Sequence, residues 1–329
     1  MPSYFCFAQT DSNTYCVAFY NVENLFDPED DPLTFDDDFT PAGAYHWSYK
    51  KYLKKINNIS KVLLAMGEGN PPAIIGVVEI ENEQVLRRLC YQSPLQKFDY
   101  GFVHYNSPDR RGIDVALLYR KKQVQIVHSE PLPIIFPFDT VSRNRDVLYV
   151  VACLASGDTL HIFVNHWTSR YGGYAATIPK RNYYADVVKN KCEELLSQNP
   201  QANIIVMGDF NDYPTDESVS KLTSAPHQLN NLMSRFAKMA NIGTHKHEDF
   251  WGCLDQILVS SALLQTDTQL IVQHGQAEIF MQDFMLEPDE KYGGYKVYRT
   301  FLGPRYIGGY SDHLPVMLRL HSFRHANSQ

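Results

Sequence analysis

No stretch of this sequence approaches the ~18–20 consecutive apolar residues of a membrane-spanning helix, so an ordinary helical span is excluded. Cysteine is scarce and scattered. Cys6, Cys16, Cys90, Cys153, Cys192 and Cys253 form no Cys-x-x-Cys pair, which argues against a zinc cluster. Several fall in apolar stretches, where a free cysteine acts as a small hydrophobe. Positive charge is in deficit: 30 Lys and Arg face 37 Asp and Glu, a net charge of −7. Non-specific coating of nucleic acid depends on clustered Lys and Arg, so that class is disfavoured. A small basic cleft, or a divalent cation offsetting local acidity, stays compatible. There is no internal repeat, low-complexity tract or Gly/Ser-rich linker, and no Gly-x-Ser-x-Gly elbow of an acyl hydrolase.

What is present suits a soluble globular protein. The chain has 329 residues, 44% hydrophobic and 20% charged, enough for a sizeable core. One domain is expected over 15–322, with an extension at 1–14 and a tail at 323–329. The apolar start Tyr4-Phe5-Cys6-Phe7-Ala8-Gln9 reads as a clipped secretory signal or a frayed terminus, and it lacks a basic n-region. Aromatics reach 13%, with 21 Tyr, so many tyrosines are expected on loops or in a cleft.

Apolar patterning predicts strands at Tyr15–Tyr20, Ala73–Val78, Tyr100–His104, Ile113–Arg120, Gln123–His128, Val147–Leu154, Leu160–Asn165, Asn203–Met207, Gln256–Val259 and Leu314–Leu320. Helices are predicted at Lys50–Met66, Asn82–Leu89, Lys180–Ser197 and near Ser218–Leu222. This pattern suits an α/β (α+β) sandwich of two packed β-sheets with helices outside. Glu287 to Tyr310, rich in Tyr, Gly and cations, reads as a long loop leading into Asp312-His313, either a specificity lid or a packed surface loop.

The chemistry-bearing residues share one grammar, an apolar strand and then a polar outcrop. Asn21 follows Val17–Tyr20, Glu79 follows Ile74–Val78, and His166 follows Ile162–Asn165. Gly208-Asp209-Phe210-Asn211-Asp212 follows Asn203–Met207. Asp255 opens the Ile257–Val259 strand, and Ser311-Asp312-His313 precedes the last one. Strand ends hold side chains rigidly while leaving them wet, which a precise polar site needs. Residues i and i+2 of an extended chain point the same way, so Asp209 and Asn211 are expected to converge.

In this order the set Asn21, Glu79, His166, Asp209-Phe210-Asn211, Asp255 and Ser311-Asp312-His313 resembles the endonuclease/exonuclease/phosphatase superfamily, from about Tyr15 to Leu320. Phe19–Asp27 and Arg111–Tyr119 look like a bacterial branch of it. The resemblance implies a four-layer sandwich with the site at one edge, and Mg²⁺ or Mn²⁺. It implies that Glu79, with Asn21 and Asp312, contacts the metal. His313 would be the general base or its equivalent, oriented by Asp255, with Asp209 and Asn211 positioning water and His166 donating to a non-bridging oxygen. Whether His or Asp takes the proton stays open. Val78 stands where the family often has Gln, so Glu81 and Glu83 remain alternatives, but Glu79 directly ends the apolar run. Arg111 and Arg170 are candidates to grip a phosphate.

The expected activity is hydrolysis of a phosphodiester by a monomer, on nucleic acid or on a phosphorylated small molecule or lipid headgroup. The alternatives are a phosphomonoesterase of the same fold and a non-catalytic binding protein. The compartment is open, bacterial cytoplasm or exported.

Overall fold

The computed structural model describes residues 13–224, 229–239 and 241–323. The signal-remnant reading of residues 4–9 and nearly all of the expected tail lie outside them. The strands and helices follow in chain order. They begin β1 Thr14–Leu25, α1 Tyr49–Met66, β2 Ile74–Ile80, α2 Glu83–Tyr91, β3 Tyr100–His104 and β4 Asp114–Arg120. Next come β5 Val124–Leu132, β6 Val147–Leu154, β7 Thr159–His166, α3 Tyr174–Gln198, β8 Ile204–Asp209 and α4 Glu217–Thr223. After them lie β9 Asn230–Asn231, β10 His245–His247, β11 Phe250–Gly252, β12 Asp255–Val259 and β13 Leu270–Ile279. The chain closes with β14 Leu286–Pro288, β15 Tyr295–Val297, β16 Phe301–Leu302, β17 Arg305–Tyr306 and β18 Val316–Ser322.

Two six-stranded sheets carry the fold, in the orders β13-β18-β1-β2-β4-β3 and β5-β6-β7-β8-β12-β9. They pack face to face over Val17, Phe19, Val150, Ile162, Ile205 and Val316, with helices outside. Strand alternation builds the layers: Val17 and Phe19 face the other sheet, while Ala18 and Tyr20 face α1 and α2. On α1, Ile56, Ile59 and Leu63 recur at helical spacing and pack against that outer face. Burying each such side chain contributes roughly 1.5–3 kcal/mol. Tyr184, Val188, Val219 and Leu222 of α3 and α4 cover the second sheet. The expected four-layer sandwich is therefore the observed fold.

Each sheet has one parallel pair at its centre, β1 with β2 and β7 with β8. Parallel neighbours need a crossover, which α1 and α3 supply. Both pairs end at the same edge of the molecule, where the polar outcrops lie.

Three elements differ from the sequence expectation. The strand β13 interrupts its apolar alternation with Gln273, His274, Gly275 and Gln276, and its pairing with β18 shifts register there. Pattern reading misses such a strand. The helix α3 begins at Tyr174, ahead of Pro179, because near a helix start the proline deprives only the Ala175 carbonyl of its donor. The expected Glu287–Tyr310 loop contains two short hairpins, β14–β15 and β16–β17.

Candidate active site

Strand register brings the outcrops together. His166 pairs with Asp209 at the end of β7–β8, and Asp209 pairs with Asp255 across β8–β12. In the other sheet Asn21 sits opposite Val78, one residue from Glu79. The backbone then leaves ordinary strand geometry. Glu23, Asn24, Glu79 and Asn211 all have φ between 50° and 64°, the left-handed region that non-glycine residues rarely adopt. Strain of this kind persists only where the surroundings over-determine it, and it clusters at functional sites. Gly208 is required for packing: a Cβ there would lie 2.3 Å from the Asn165 carbonyl oxygen.

The Asn21 amide is the tie between the sheets. Its Nδ2 donates to Glu79 Oε1 at 3.2 Å and to Asp209 Oδ2 at 3.1 Å. Its Oδ1 accepts from the Glu23 amide at 3.0 Å, and the Asn24 amide donates to Glu79 Oε2 at 2.7 Å. Asp209 and Asn211 do meet, but not by strand alternation. The Asn211 amide donates to Asp209 Oδ1 at 2.9 Å in a local turn, and Asn211 Nδ2 donates to the Trp167 carbonyl at 3.2 Å.

His313 closes the ring. Its Nδ1 lies 2.8 Å from Asp255 Oδ2, and its Nε2 lies 3.7 Å from Asp209 Oδ2. The Ser311 hydroxyl donates to the Asn21 carbonyl at 2.7 Å and accepts from the His313 amide at 3.1 Å, which fixes this segment against β1. Burial alone would lower the His313 pKa, but Asp255 and Asp209 override it and raise it well above the usual histidine value. Burial raises the Asp209 carboxyl, opposed by His313 and reinforced by Asp255. His166 is the converse case. Burial, with Arg145 and Arg111 nearby, lowers it well below the usual value, so its imidazole is neutral. His166 Nε2 lies 3.7 Å from Asp209 Oδ2 and 3.8 Å from Glu79 Oε1. Neighbours thus shift two buried histidines in opposite directions, His313 up and His166 down.

The other predicted residues divide. Glu79 is at the ring; Glu83 pairs with Arg87 on the exposed face of α2. Glu81 accepts the Asp27 amide at 2.6 Å, away from the ring, and burial pushes its pKa up to about 9. Arg111 is half-exposed and held by Asp109, near enough to act on His166. Arg170 does not reach the ring. Its guanidinium donates to the Asn211 carbonyl at 2.7 Å, to Asp212 at 3.2 Å and to Asp216 at 2.7 Å. It also lies over the Tyr213 and Tyr174 rings, so it braces the turn after Asp209. Asp312 gives its Oδ2 to Arg299 at 2.9 Å. Burial raises its carboxyl, but Arg299 and His313 outweigh this and hold it down at about 2.

Four contributors escaped sequence reading. Buried Arg145 donates to the His166 and Trp167 carbonyls and to Asp109, fixing the β7 end. Buried Glu23 accepts from Arg299 at 3.1 Å and from the Thr300 amide at 2.6 Å. Lys55, on α1, donates to Thr300 Oγ1 and to the Tyr310 carbonyl. His245 bridges His313 across an isolated strand contact. Arg145, Glu23 and Lys55 carry no local signal. The His245-Lys246-His247 pair is a weak one.

The donor set fits a hard divalent cation. Ligating atoms of Asp209, Asp255 and His313 lie within 4.8 Å of one another, as do those of His245, Asp312 and His313. Asp255 Oδ1 is buried without a hydrogen-bond partner, and Glu79 offers carboxylate oxygen at the same edge. The carboxylates of Asp209, Asp255 and Glu79 supply the hard oxygen that suits Mg²⁺ or Mn²⁺, whereas His245 and His313 add imidazole nitrogen. Among the described residues, no helix is long and apolar enough to cross a membrane.

Known structures share this architecture. A Bacteroides thetaiotaomicron endonuclease/exonuclease/phosphatase family protein is 19% identical, over 93% of this chain and 97% of its own, with a TM-score of 0.59. D. rerio TDP2 complexed with a single-strand DNA product is 16% identical, over 94% and 99%, with a TM-score of 0.58. The B. thetaiotaomicron mannosyl-6-phosphatase Bt3783 is 18% identical, over 93% and 99%, with a TM-score of 0.56. No curated protein sequence matches the chain. The sequence matches the Endonuclease/Exonuclease/phosphatase family over residues 16–322. With that match across nearly its whole length, on a fold that supports phosphoester hydrolysis, the chain belongs to the endonuclease/exonuclease/phosphatase family.

Proposed function

We propose that this protein hydrolyses a phosphodiester with Mg²⁺ or Mn²⁺, by in-line attack of water on phosphorus. One observation carries the reading: the Asp255–His313–Asp209 chain closes against Asn21–Glu79 at the shared edge of two sheets. Glu79, Asn21 and Asp312 would hold the cation, which would polarise the phosphoryl oxygen and stabilise the leaving oxyanion.

The chain's own residues do the rest. Asp209 and Asn211 orient the water, held together by their local turn. The proton of that water passes to the Asp209 carboxylate, since His313, its pKa raised, keeps its own proton, and Asp255 fixes the His313 ring so that Nε2 faces Asp209 Oδ2. His166, neutral, donates to a non-bridging oxygen as charge develops there. Arg111, half-exposed beside this edge, is the cation available to the substrate phosphate. A fold-only binding protein is disfavoured because no member of the ring is missing.

The neighbours named above include one holding a nucleic-acid product and one named for a sugar phosphate, so both classes belong in the test. Purified protein is assayed with Mg²⁺, Mn²⁺ or EDTA on plasmid DNA, RNA, an aryl phosphodiester, a phosphomonoester and sphingomyelin. Cleavage of a diester that EDTA abolishes and His313→Ala strongly reduces is the expected result. Activity that survives both treatments, or no cleavage of any phosphoester, sinks the reading. Cleavage of the monoester alone replaces it with the phosphomonoesterase alternative.

A further inference from the structure

His313 is shared by two side-chain clusters that divide its surroundings. Asp209 and Asp255 lie in one, His245 and Asp312 in the other. Asp209 belongs to the side where water is oriented. Asp312 belongs to the side of the cation, where the leaving oxyanion forms. His245 therefore stands on the leaving side of His313. One of its ring nitrogens lies within 4.8 Å of an Asp312 carboxylate oxygen and of a His313 ring nitrogen.

The backbone fixes this residue in place. His245 bridges His313 strand to strand, and the two rings lie 5.0 Å apart at 47°. Thr244, just before it, is fully buried. The Thr244 amide donates to the Gly252 carbonyl at 2.9 Å, and its carbonyl accepts from the Leu314 amide at 2.7 Å. Its hydroxyl accepts from the Leu254 and Asp255 amides at 3.1 and 3.2 Å. The frame that sets Asp255 and His313 thus sets His245 as well.

The imidazole itself is unengaged. Half-buried His245 makes no side-chain hydrogen bond among the described residues. Arg299 and Lys55, cations near Asp312, are turned to Glu23, Asp312, Thr300 and the Tyr310 carbonyl. An imidazole keeps an N–H donor in either charge state. This side also has room. Lys246 and Arg299 line a cavity of about 670 Å³, walled by the β10–β11, β14–β15 and β16–β17 hairpins. That volume falls within the range of small-molecule sites, roughly 300–1,000 Å³.

We propose that His245 is a further catalytic residue, whose imidazole N–H donates to the leaving oxygen as the P–O ester bond breaks. The proposal rests on the phosphoesterase reading of the ring. Water forms the new P–O bond, and its proton goes to Asp209. The ester bond breaks with its electron pair on the leaving oxygen, where a fixed donor stabilises the growing charge. The departing alkoxide takes a proton from solvent, which balances the one held by Asp209. His245 forms no covalent bond and is unchanged by the turnover. Its contribution should grow with the basicity of the leaving oxygen.

The test compares methyl 4-nitrophenyl phosphate with methyl phenyl phosphate, each with Mg²⁺ or Mn²⁺, and measures release of the phenol. Phenolate is the more basic and so the poorer leaving group. His245→Phe keeps a ring against His313 and deletes the donor. It should lower kcat/KM for the phenyl ester by about tenfold or more beyond any loss on the 4-nitrophenyl ester. Both esters are read on one preparation, so a smaller folded fraction scales both rates alike and leaves their ratio untouched. His245→Leu is read in the same way if the phenylalanine variant does not fold. The inference is overturned if the ratio stays that of the native protein. Rates that fall together would make His245 a support for His313, and rates that do not fall would remove it from the chemistry. A larger loss on the 4-nitrophenyl ester overturns it equally. Native protein that cleaves neither ester sinks the phosphoesterase reading, and this inference with it.

Discussion

The ring at the sheet edge and the cavity beside it are built in opposite ways. The ring stands on the ends of long core strands, and the Asn21 bonds to Glu79 and Asp209 span 58 and 188 residues of sequence. Asn21, Asp209, Asp255 and His313 are buried and hydrogen-bonded to one another or to the backbone beside them, and His166 is buried against Asp209 and Glu79. The cavity is walled by hairpin strands of two or three residues, tied by ion pairs and carrying exposed Tyr295 and Leu302. Reacting groups need fixed positions, which a packed sheet supplies. Selecting a substrate needs a surface that can change without unfolding anything, which loops supply.

The sharpest test of the contrast is Asp209→Asn. It should lower kcat by on the order of 10²–10⁴-fold, while the melting temperature stays level or rises because a buried carboxylate is gone. A variant that unfolds instead would make Asp209 part of the structure rather than of the chemistry.

Arg145→Met removes one side of a buried ion pair and leaves Asp109 with only the half-exposed Arg111. Urea denaturation should show a loss of about 3–5 kcal/mol. A loss below about 1 kcal/mol would mean that the ring's support is as replaceable as the cavity wall.

Lys55 lies at the seam of the two regions, and burial lowers its pKa to about 8 from 10.5, against the pull of Glu23. The folded state therefore favours the neutral amine. That contribution is complete above the unfolded value of 10.5 and is lost as pH falls through about 8. Relative to Lys55→Met, the native chain should gain up to roughly 3 kcal/mol between pH 8 and 10.5, read by urea denaturation at each pH. A constant difference would show that burial there does not perturb the amine.

The smallest effect belongs to Tyr295→Ser on the exposed hairpin, which should change stability by no more than about 0.5 kcal/mol. A larger loss would erase the distinction between wall and floor.

The same division governs how much was legible. Core strands carry regular alternation, so Tyr100–His104 and Val147–Leu154 were predicted to the residue. The polar residues ending such strands were legible too, because a carboxylate, amide or imidazole after an apolar run stands out. The tyrosines of 287–310 divide. Tyr298 donates to the Ile307 carbonyl, Tyr306 packs by Trp47 and Phe301, and Tyr310 packs on Phe284. Tyr292 and Tyr295 stay exposed, and nothing in Gly/Tyr-rich sequence separates the two sorts. Arg170 braces the turn after Asp209, and an arginine four residues beyond His166 reads alike in sequence whether it faces substrate or braces a turn.

By itself the sequence determined the sandwich, the order of the strands' polar ends and the family they resemble, because periodicity and residue type are local properties. The tertiary structure alone decided that Asn21 joins Glu79 to Asp209, that the His313 pKa is raised while that of His166 is lowered, and that a cavity opens behind Arg299. Those facts depend on distances between residues far apart in the chain and on how much water reaches them, and neither is a property of any one segment.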